Sequence, residues 1–479
     1  MPVENQSADR LPENLEWVQR LLSRHEHLLL QLAESEHTSL KVDDGALEQI
    51  LRELSAKLEQ LHSADVAHIL EGLPKKRRLL VWDLVKTERD GDILLEVSDA
   101  VRESLIESMD DVELVAAVEF LDADEVADLA PDLPESVVDE VLDGLDAEER
   151  AQVQSALSYE DNEVGAVMDF DLVSIRADVS CEVVLRYLRL FDELPRHTDK
   201  IFVVDDDNRL QGVLPIRRLL VADGETEVYT LMSRNVVSFL PSDLTEAAAE
   251  AFERYDLITA PVVDAKRHLI GRLTIDAMVD VIRENSDQDV LQMAGLKEEE
   301  DLFAPVIDSV RNRWAWLAIN LGTAFVASSV IKHFDSAIEQ LVALAALMPI
   351  VAGIGGNSGN QTITMIVRSL AMGNMDESQA WHLWRKELGV SLVNGLIWGG
   401  AVGVIAGTVY SNVALGLVIM SAMTLNLMLA ATMGVWIPTL MHRFGKDPAV
   451  GSSVLITACT DSGGFFIFLG LASVFLLGA

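Results

Sequence analysis

Residues 349–369 read PIVAGIGGNSGNQTITMIVRS. Gly353, Gly355, Gly356 and Gly359 stand among Asn357, Ser358, Asn360, Gln361, Thr362 and Thr364, inside an apolar run over about 338–371. Small residues at this density let helices approach closely in lipid. Packing does not call for two asparagines and a glutamine at membrane depth, where unpaired amides are costly. The stretch therefore reads as polar and partly unwound, lining a water-filled path.

A hydrocarbon core about 30 Å thick needs about 20 apolar residues per helix. Stretches over about 312–334, 386–410, 412–440 and 447–478 also reach that length, so five spans are expected. Arg311 and Arg313 precede the first, Arg368, Arg385 and Lys386 lie around the second loop, and Arg443 and Lys446 lie between the fourth and fifth. The opposite side has only Lys332, which puts the N-terminal portion in the cytoplasm and the C-terminus outside. The fifth span, in TACTDSGGFF, holds Asp461, read as the only acidic residue deep within any span. A carboxylate there costs about 2.5 to 3.5 kcal/mol on insertion scales and usually marks an ion path. With no Lys or Arg at comparable depth, Asp461 is expected to meet an ion rather than a basic side chain. Amides, hydroxyls and carbonyls beside one carboxylate suit Mg2+, which takes oxygen ligands and keeps most of its water.

Residues 1–311 carry 70 of the 77 acidic residues and 30 of the 37 basic ones, a net charge of −40; residues 312–479 are balanced at seven of each. That excess excludes nucleic acid as a partner and points to cations. Cys181 and Cys459 form no disulfide framework or zinc motif. The N-terminus, MPVENQSADRLPEN, lacks a basic stretch followed by an apolar one, so no cleavable signal is expected.

Residues 1–160 read as helical, with apolar residues at helical spacing. Leu61, Asp65, Val66, Ala67, Ile69, Leu73 and Pro74 match Leu121, Glu125, Val126, Ala127, Leu129, Leu133 and Pro134 at a separation of 60, implying stacked short helices in a small superhelix. Residues 161–284 repeat differently: VMDFDLVSI (167–175) parallels LMSRNVVSF (231–239), and VVDDDNRLQGVLPIRRL (203–219) parallels VVDAKRHLIGRLTIDAM (262–278). Each copy has short β-branched runs, a helix, a turn at Asp and Gly, and a second helix. This resembles a tandem of CBS domains, which commonly bind adenine nucleotides. The Gly-x-x-Ser/Thr-x-x-Asp signature reads Gly212, Pro215, Arg218 in one copy and Gly271, Thr274, Ala277 in the other, which speaks against ATP binding. Residues 285–311 then run from the second copy into the first span, as a lever between sensor and pore.

The order of parts, with GGNSGNQ in the second span and TDSGG in the fifth, resembles the MgtE family of Mg2+ channels and transporters over essentially the whole chain. The fold expected is a multi-domain membrane protein: an all-α acidic N-domain (1–160), α/β tandem CBS domains (161–284), a connecting plug helix (285–311) and a five-helix transmembrane domain (312–479). The resemblance implies a homodimer with the pore on its axis and a plug helix closing the cytoplasmic side. It implies Asp461 as central ion ligand, Asn360 and Thr364 facing the ion's waters, carbonyls near Gly353, Gly356 and Thr457, and Asp447 binding Mg2+ near the plug. Ser453 stands where better known members have Asn, and the acidic cluster after the CBS domains is thinner, leaving Asp276, Asp280, Glu284, Asp287 and Asp289.

The function expected is Mg2+-selective uptake across the plasma (inner) membrane, with Mg2+ both cargo and regulatory ion and no enzymatic activity. Like charges about 4 Å apart repel by about 4 kcal/mol at an effective dielectric near 20, and a shared dication reverses the sign. Cytoplasmic Mg2+ would therefore draw N-domain, CBS domains and plug together and shut the pore. Alternatives are another divalent cation such as Co2+, or a membrane-tethered CBS signalling protein. Oxygen-only ligands favour Mg2+ over softer metals.

Overall fold

Along the N-terminal part a helix starts every twelve residues. The computed structural model describes residues 11–35, 44–296, 301, 303–371, 377–444, 446–448 and 451–477. The chain divides into two bodies, Met1–Ser286 with Glu299–Ala304, and Asp287–Glu298 with Pro305–Ala479.

In the first body α1 (Leu11–Ser35) and α2 (Asp44–Leu58) lead into α3 (Ser63–Glu71), α4 (Lys75–Trp82), α5 (Asp90–Glu96), α6 (Asp99–Ile106), α7 (Asp111–Val118), α8 (Ala123–Leu129), α9 (Glu135–Gly144) and α10 (Ala147–Ala156). From α3 onward the N-caps fall at His62, Pro74, Ser98, Asp110, Asp122, Pro134 and Asp146, with Lys86 capping the 3-10 turn before α5. The 60-residue match read from the sequence is a multiple of this shorter step. Asp110 with Glu113, Asp122 with Glu125 and Asp146 with Glu149 form capping boxes, so part of the acidity serves orphan helix N–H groups. Three arginines mark the opposite ends. Arg78, Arg102 and Arg150 each donate Nε to the carbonyl eight residues earlier, at Leu70 (3.0 Å), Leu94 (2.8 Å) and Leu142 (2.6 Å). Each guanidinium thereby satisfies a carbonyl that the preceding helix leaves over.

The CBS copies fold as the sequence predicts. The first holds β1 (Ser174–Arg176), α11 (Cys181–Leu188), β2 (Lys200–Val204), β3 (Leu210–Pro215), α12 (Ile216–Leu219) and α13 (Val228–Leu231). The second holds α14 (Thr245–Tyr255), β4 (Thr259–Val263), β5 (Leu269–Thr274) and the long α15 (Ile275–Ala294). The hairpins share a register, Val203 opposite Gly212 and Val262 opposite Gly271, and slip at the same place, Val203/Val204 and Val262/Val263. They join turn to turn: Leu210 N–H donates to Arg267 O and Leu269 N–H to Asn208 O, both 2.9 Å. The first sheet has a third strand, β1, parallel to β2; the second has only a parallel bridge between Phe239 and Val262. Its next ladder donor would be Pro241, which has no N–H. Cys181 and Cys459 are both free.

The second body begins within α15, which ends at Gly295 in the left-handed region (φ 80°). A Cβ there would lie 2.0 Å from Trp316 Nε1, so glycine serves both the turn and the contact. The connecting segment expected over 285–311 comprises the last turns of α15 and the first turns of α16 (Val306–His333), with 297–300 and 302 outside the described residues. Then come α17 (Asp335–Gln340), α18 (Ala343–Ala371), α19 (Glu377–Val409), α20 (Val413–Arg443) and α21 (Ser452–Ala472), which runs on through a π-helical turn, Ser473–Leu477. Among the described residues four helices are long and apolar enough to cross a membrane, over Ser309–His333, Gln379–Val409, Val413–Arg443 and Ser452–Leu477. The fifth, α18, is as long at 29 residues, but its glycines and amides lower its hydropathy. The expected partial unwinding of 349–369 is not observed: α18 is continuous through Pro349 and the glycines. Its glycines serve close packing instead, Gly355 against Asn426 and Gly359 against Ile456. On α19, Gly395, Gly399, Gly403 and Gly407 recur every four residues, and added Cβ atoms on the first three would collide with Thr424, Met420 and Gly416 of α20. This is the small-residue seam by which helices associate in lipid.

The arginine caps give a graded test. Arg78 is fully buried and also serves Leu73 O (3.1 Å), Ser104 Oγ (3.1 Å) and Asp301 Oδ2 (2.7 Å). Replacing it with Ala removes four hydrogen bonds of a fully buried side chain, among them those to the part-buried Asp301 carboxylate and to Leu73 O, and should destabilise the helical N-domain by about 3 kcal/mol. Arg150 is half exposed, and Arg150→Ala should cost about 1 kcal/mol. Chemical denaturation of both variants, followed by far-UV circular dichroism, checks the ranking; equal losses would contradict it.

Candidate functional site

One face of α18 carries the exposed residues Ile350, Gly353, Asn357, Gln361, Thr364 and Arg368, with Asn360 half-buried at its margin. On a membrane helix this face is polar where lipid would demand apolar side chains. The opposite face of α18, with Val351, Gly355, Gly359 and Thr362, is buried. A Cβ at Gly434 would lie 2.9 Å from Thr362 Cβ, and one at Gly359 3.6 Å from Ala430 Cβ, so this side is closed by α20.

The beginning of α21 lies along α18. Ser453 Oγ donates to Asn360 Oδ1 at 3.2 Å, which fixes the amide's orientation. A Cβ at Gly356 would stand 3.7 Å from Thr460 Oγ1. The hydroxyls of Thr364 and Thr457 donate to their own helices, at Asn360 O and Ser453 O, both 2.9 Å. Their proton is thus directed away, and their oxygen lone pairs remain to accept a water or meet a cation. Asp461 is half-buried on α21. No charged partner influences it among the described residues, so the alternative of a structural ion pair finds no support there. Asp461, Asn360, Thr364, Thr457, Gly353 and Gly356 therefore share one helix pair. Asp447 is apart from them, exposed in the short segment before α21.

Among the described residues no three His, Cys, Asp or Glu side chains gather as a cation-binding group. The chemistry of the α18–α21 pair is then one carboxylate with amide, hydroxyl and carbonyl oxygens, a hard set suited to a hydrated dication.

Two features escaped the sequence reading. Asp461 is not the only carboxylate inside the helices: Glu387 is 5% exposed. Its Oε2 lies 3.4 Å from Thr362 Oγ1, and its Oε1 3.3 Å from Lys386 Nζ. The misreading arose because α19 starts at Glu377, about three turns before Glu387. The second is Asn426, fully buried on α20 between the two polar helices.

Of the acidic residues expected to regulate, Asp276 pairs with His197 Nε2 at 3.2 Å. Asp280 and Glu284 of α15 face carboxylates of the helical repeats. Both are held above the usual carboxylate range, first by desolvation and then by Asp276 for Asp280, and by Asp128, Asp99 and Asp280 for Glu284. Glu96 is raised likewise by burial and by Asp280. Asp90 and Asp124 are pushed up to about 7, by burial first and then by Glu113 and Asp169 respectively. Only composition signalled these N-domain partners. Asp287 lies in the second body, and the side chain of Asp289 is outside the described residues. At the degraded nucleotide signature, Arg218 Nη1 donates to Leu231 O (2.9 Å) and Ser233 Oγ (3.0 Å).

Comparison with known proteins agrees with this layout. The family model described as divalent cation transporter matches residues 348–471, that of the MgtE intracellular N domain 61–162, and the CBS domain 164–225 and 227–284. A magnesium transporter MgtE of Thermus thermophilus is 30% identical over 92% of this chain and 99% of its own, and one of Enterococcus faecalis 31% over 69% and 73%. Among solved structures, the cytosolic domain of the Mg2+ channel MgtE in complex with ATP is 29% identical, with TM-score 0.44, over 53% of this chain and 98% of that one. The chain belongs to the MgtE family of magnesium transporters.

Proposed function

We propose that this protein conducts Mg2+ through a membrane along the polar faces of α18 and α21, with Asp461 as the central ligand. The observation that carries the reading is the Asp461 carboxylate, set among membrane helices with no basic partner among the described residues, beside a helix face of amides and hydroxyls. Asn360, Thr364 and Thr457 would hold the ion's waters, and carbonyls near Gly353 and Gly356 would complete the path. The relatives named magnesium transporters support Mg2+ as cargo. The polar face of α18 needs water or protein against it, and a second copy across a two-fold axis supplies both. The protein would thus work as a homodimer in the plasma membrane, N-terminus in the cytoplasm and C-terminus outside.

Closure would come from Mg2+ bound where α15 faces the N-domain, between Asp276, Asp280 and Glu284 on one side and Glu96, Asp99 and Asp128 on the other. Asp447, Asp287 and Asp289 would bind Mg2+ nearer the plug. ATP is not assigned to the CBS pair, because Arg218 and Ala277 stand where the signature has Asp.

Mg2+ uptake into proteoliposomes tests the path: Asp461→Ala and Asp461→Asn should each lower it at least about tenfold at equal reconstituted protein. Uptake at the native rate in both variants removes the assignment. The regulatory reading has its own test in pH. Asp90 and Asp124 bind protons in the folded state up to pH about 7, whereas in the unfolded chain they release them near 3.8. Without Mg2+ the stability of the cytoplasmic portion should therefore fall as pH rises between those values and then level off. Glu96, Asp280 and Glu284, at the proposed Mg2+ site, are likewise held above the usual carboxylate range, so there added Mg2+ competes with protons and should raise the unfolding temperature more at pH about 7.5 than at about 5.5. Equal Mg2+ shifts at both would count against ion binding at these carboxylates.

A further inference from the structure

Asn426 is 0% exposed in the middle of α20, on a helix whose buried positions facing α18 include Ala430 and Gly434. Its Nδ2 donates to Val351 O of α18 at 2.9 Å. Its Oδ1 is buried and finds no hydrogen-bond partner among the described residues. Leaving such an acceptor unpaired costs about 1–3 kcal/mol, which the fold sustains at this position. The surroundings are nevertheless shaped around the amide. A Cβ on Gly355 of α18 would lie 2.2 Å from Nδ2, and a Cβ on Gly464 of α21 would lie 2.6 Å from the same atom. Two helices thus give up side chains so that one amide from a third can sit between their backbones.

Those glycines adjoin the ion path. Gly355 lies between Gly353 and Gly356, and Gly464 follows Asp461 by three residues, close to one helical turn. The amide thus bonds the backbone of α18 and sits against Gly464 of α21, the two helices that carry the proposed ligands.

We infer that Asn426 is a positioning residue that sets the spacing and rotation of α18 against α21, and through them the ion discrimination at Asp461. The inference rests on the transport reading above. Mg2+ demands near-ideal octahedral oxygen geometry, whereas Ca2+ accepts longer and more variable ligand sets. A path held at one width by a fixed amide favours the stricter ion. Loosening it relaxes the geometry without removing the carboxylate that attracts cations.

The test is uptake of Mg2+ and of Ca2+ into proteoliposomes holding the full chain, comparing the native protein with Asn426→Leu and Gly464→Ala. The first removes the donor at constant size, and the second displaces the amide by a methyl group. Both should raise half-saturating Mg2+ about fivefold and lower the Mg2+ to Ca2+ uptake ratio by a similar factor, with uptake at saturating Mg2+ within about twofold of native. An Asn426→Leu protein with native half-saturation and native ion ratio overturns the inference. So does a parallel loss of both ions at constant ratio, which is what a merely structural role gives. If Asn426→Leu does not yield folded protein, Gly464→Ala decides by the same two readings. Failure of the native chain to take up Mg2+, or native uptake by Asp461→Asn, removes the transport reading itself.

Discussion

Inside a hydrocarbon layer every polar group must find its partner within the protein, because no water is there to supply one. α18 is organised by this constraint. Its helix is continuous, with the Pro349 N–H the one donor its residue type removes from the ladder, so the glycines are not sites of unwinding. Its buried face is sealed on α20, where Thr362 lies against Gly434 and Val351 O receives the Asn426 amide. The amides and hydroxyls that remain are gathered on one face, with Asp461 on the neighbouring helix. A polar face of that length is tolerable only against water or protein. The same constraint explains Glu387, whose oxygens lie near Thr362 and Lys386 rather than lipid.

Close approach requires the small residues. The α19 seam of Gly395, Gly399 and Gly403 brings that helix onto α20 at backbone distance, and α20 in turn presents Asn426, Ala430 and Gly434 to α18. α20 is accordingly the most enclosed of the long apolar helices. It carries none of the proposed ion ligands. Its part is to hold α18 and α21 at a distance that side chains of ordinary size would not allow.

Much of this was legible in the residues. Duplication of the β-hairpins followed from VVDDDNRLQG and VVDAKRHLIG, because the same turn chemistry imposes the same register and the same slip. The polar helix pair followed from GGNSGNQ and TDSGG, whose amides and carboxylate have no packing purpose. Partial unwinding of α18 was misjudged because glycine was weighed by its backbone freedom, when its use here is the absence of a side chain. Asn426 was invisible for the opposite reason: one asparagine in an apolar run has no periodicity, and its meaning depends on glycines 71 positions before and 38 after it. The twelve-residue step was hidden because its caps are chemically diverse, with His, Pro, Ser and Asp filling equivalent positions.

The charge of the first 311 residues has two physical origins that composition cannot separate. Asp110, Asp122 and Asp146, with their glutamate partners, are fixed in capping boxes, where a carboxylate meets N–H groups and the positive end of a helix. Such groups gain nothing from a cation and are poor candidates for one. Asp90, Asp124, Glu96, Asp280 and Glu284 differ: Asp90 is buried and Asp124 half-buried, Glu96, Asp280 and Glu284 are exposed, and all five are held above the usual carboxylate range with another carboxylate nearby. In such a fold the protonated form is favoured, for Asp90 and Asp124 up to pH about 7. α15, which carries two of the five groups, continues past Ser286 into the body that holds the membrane helices.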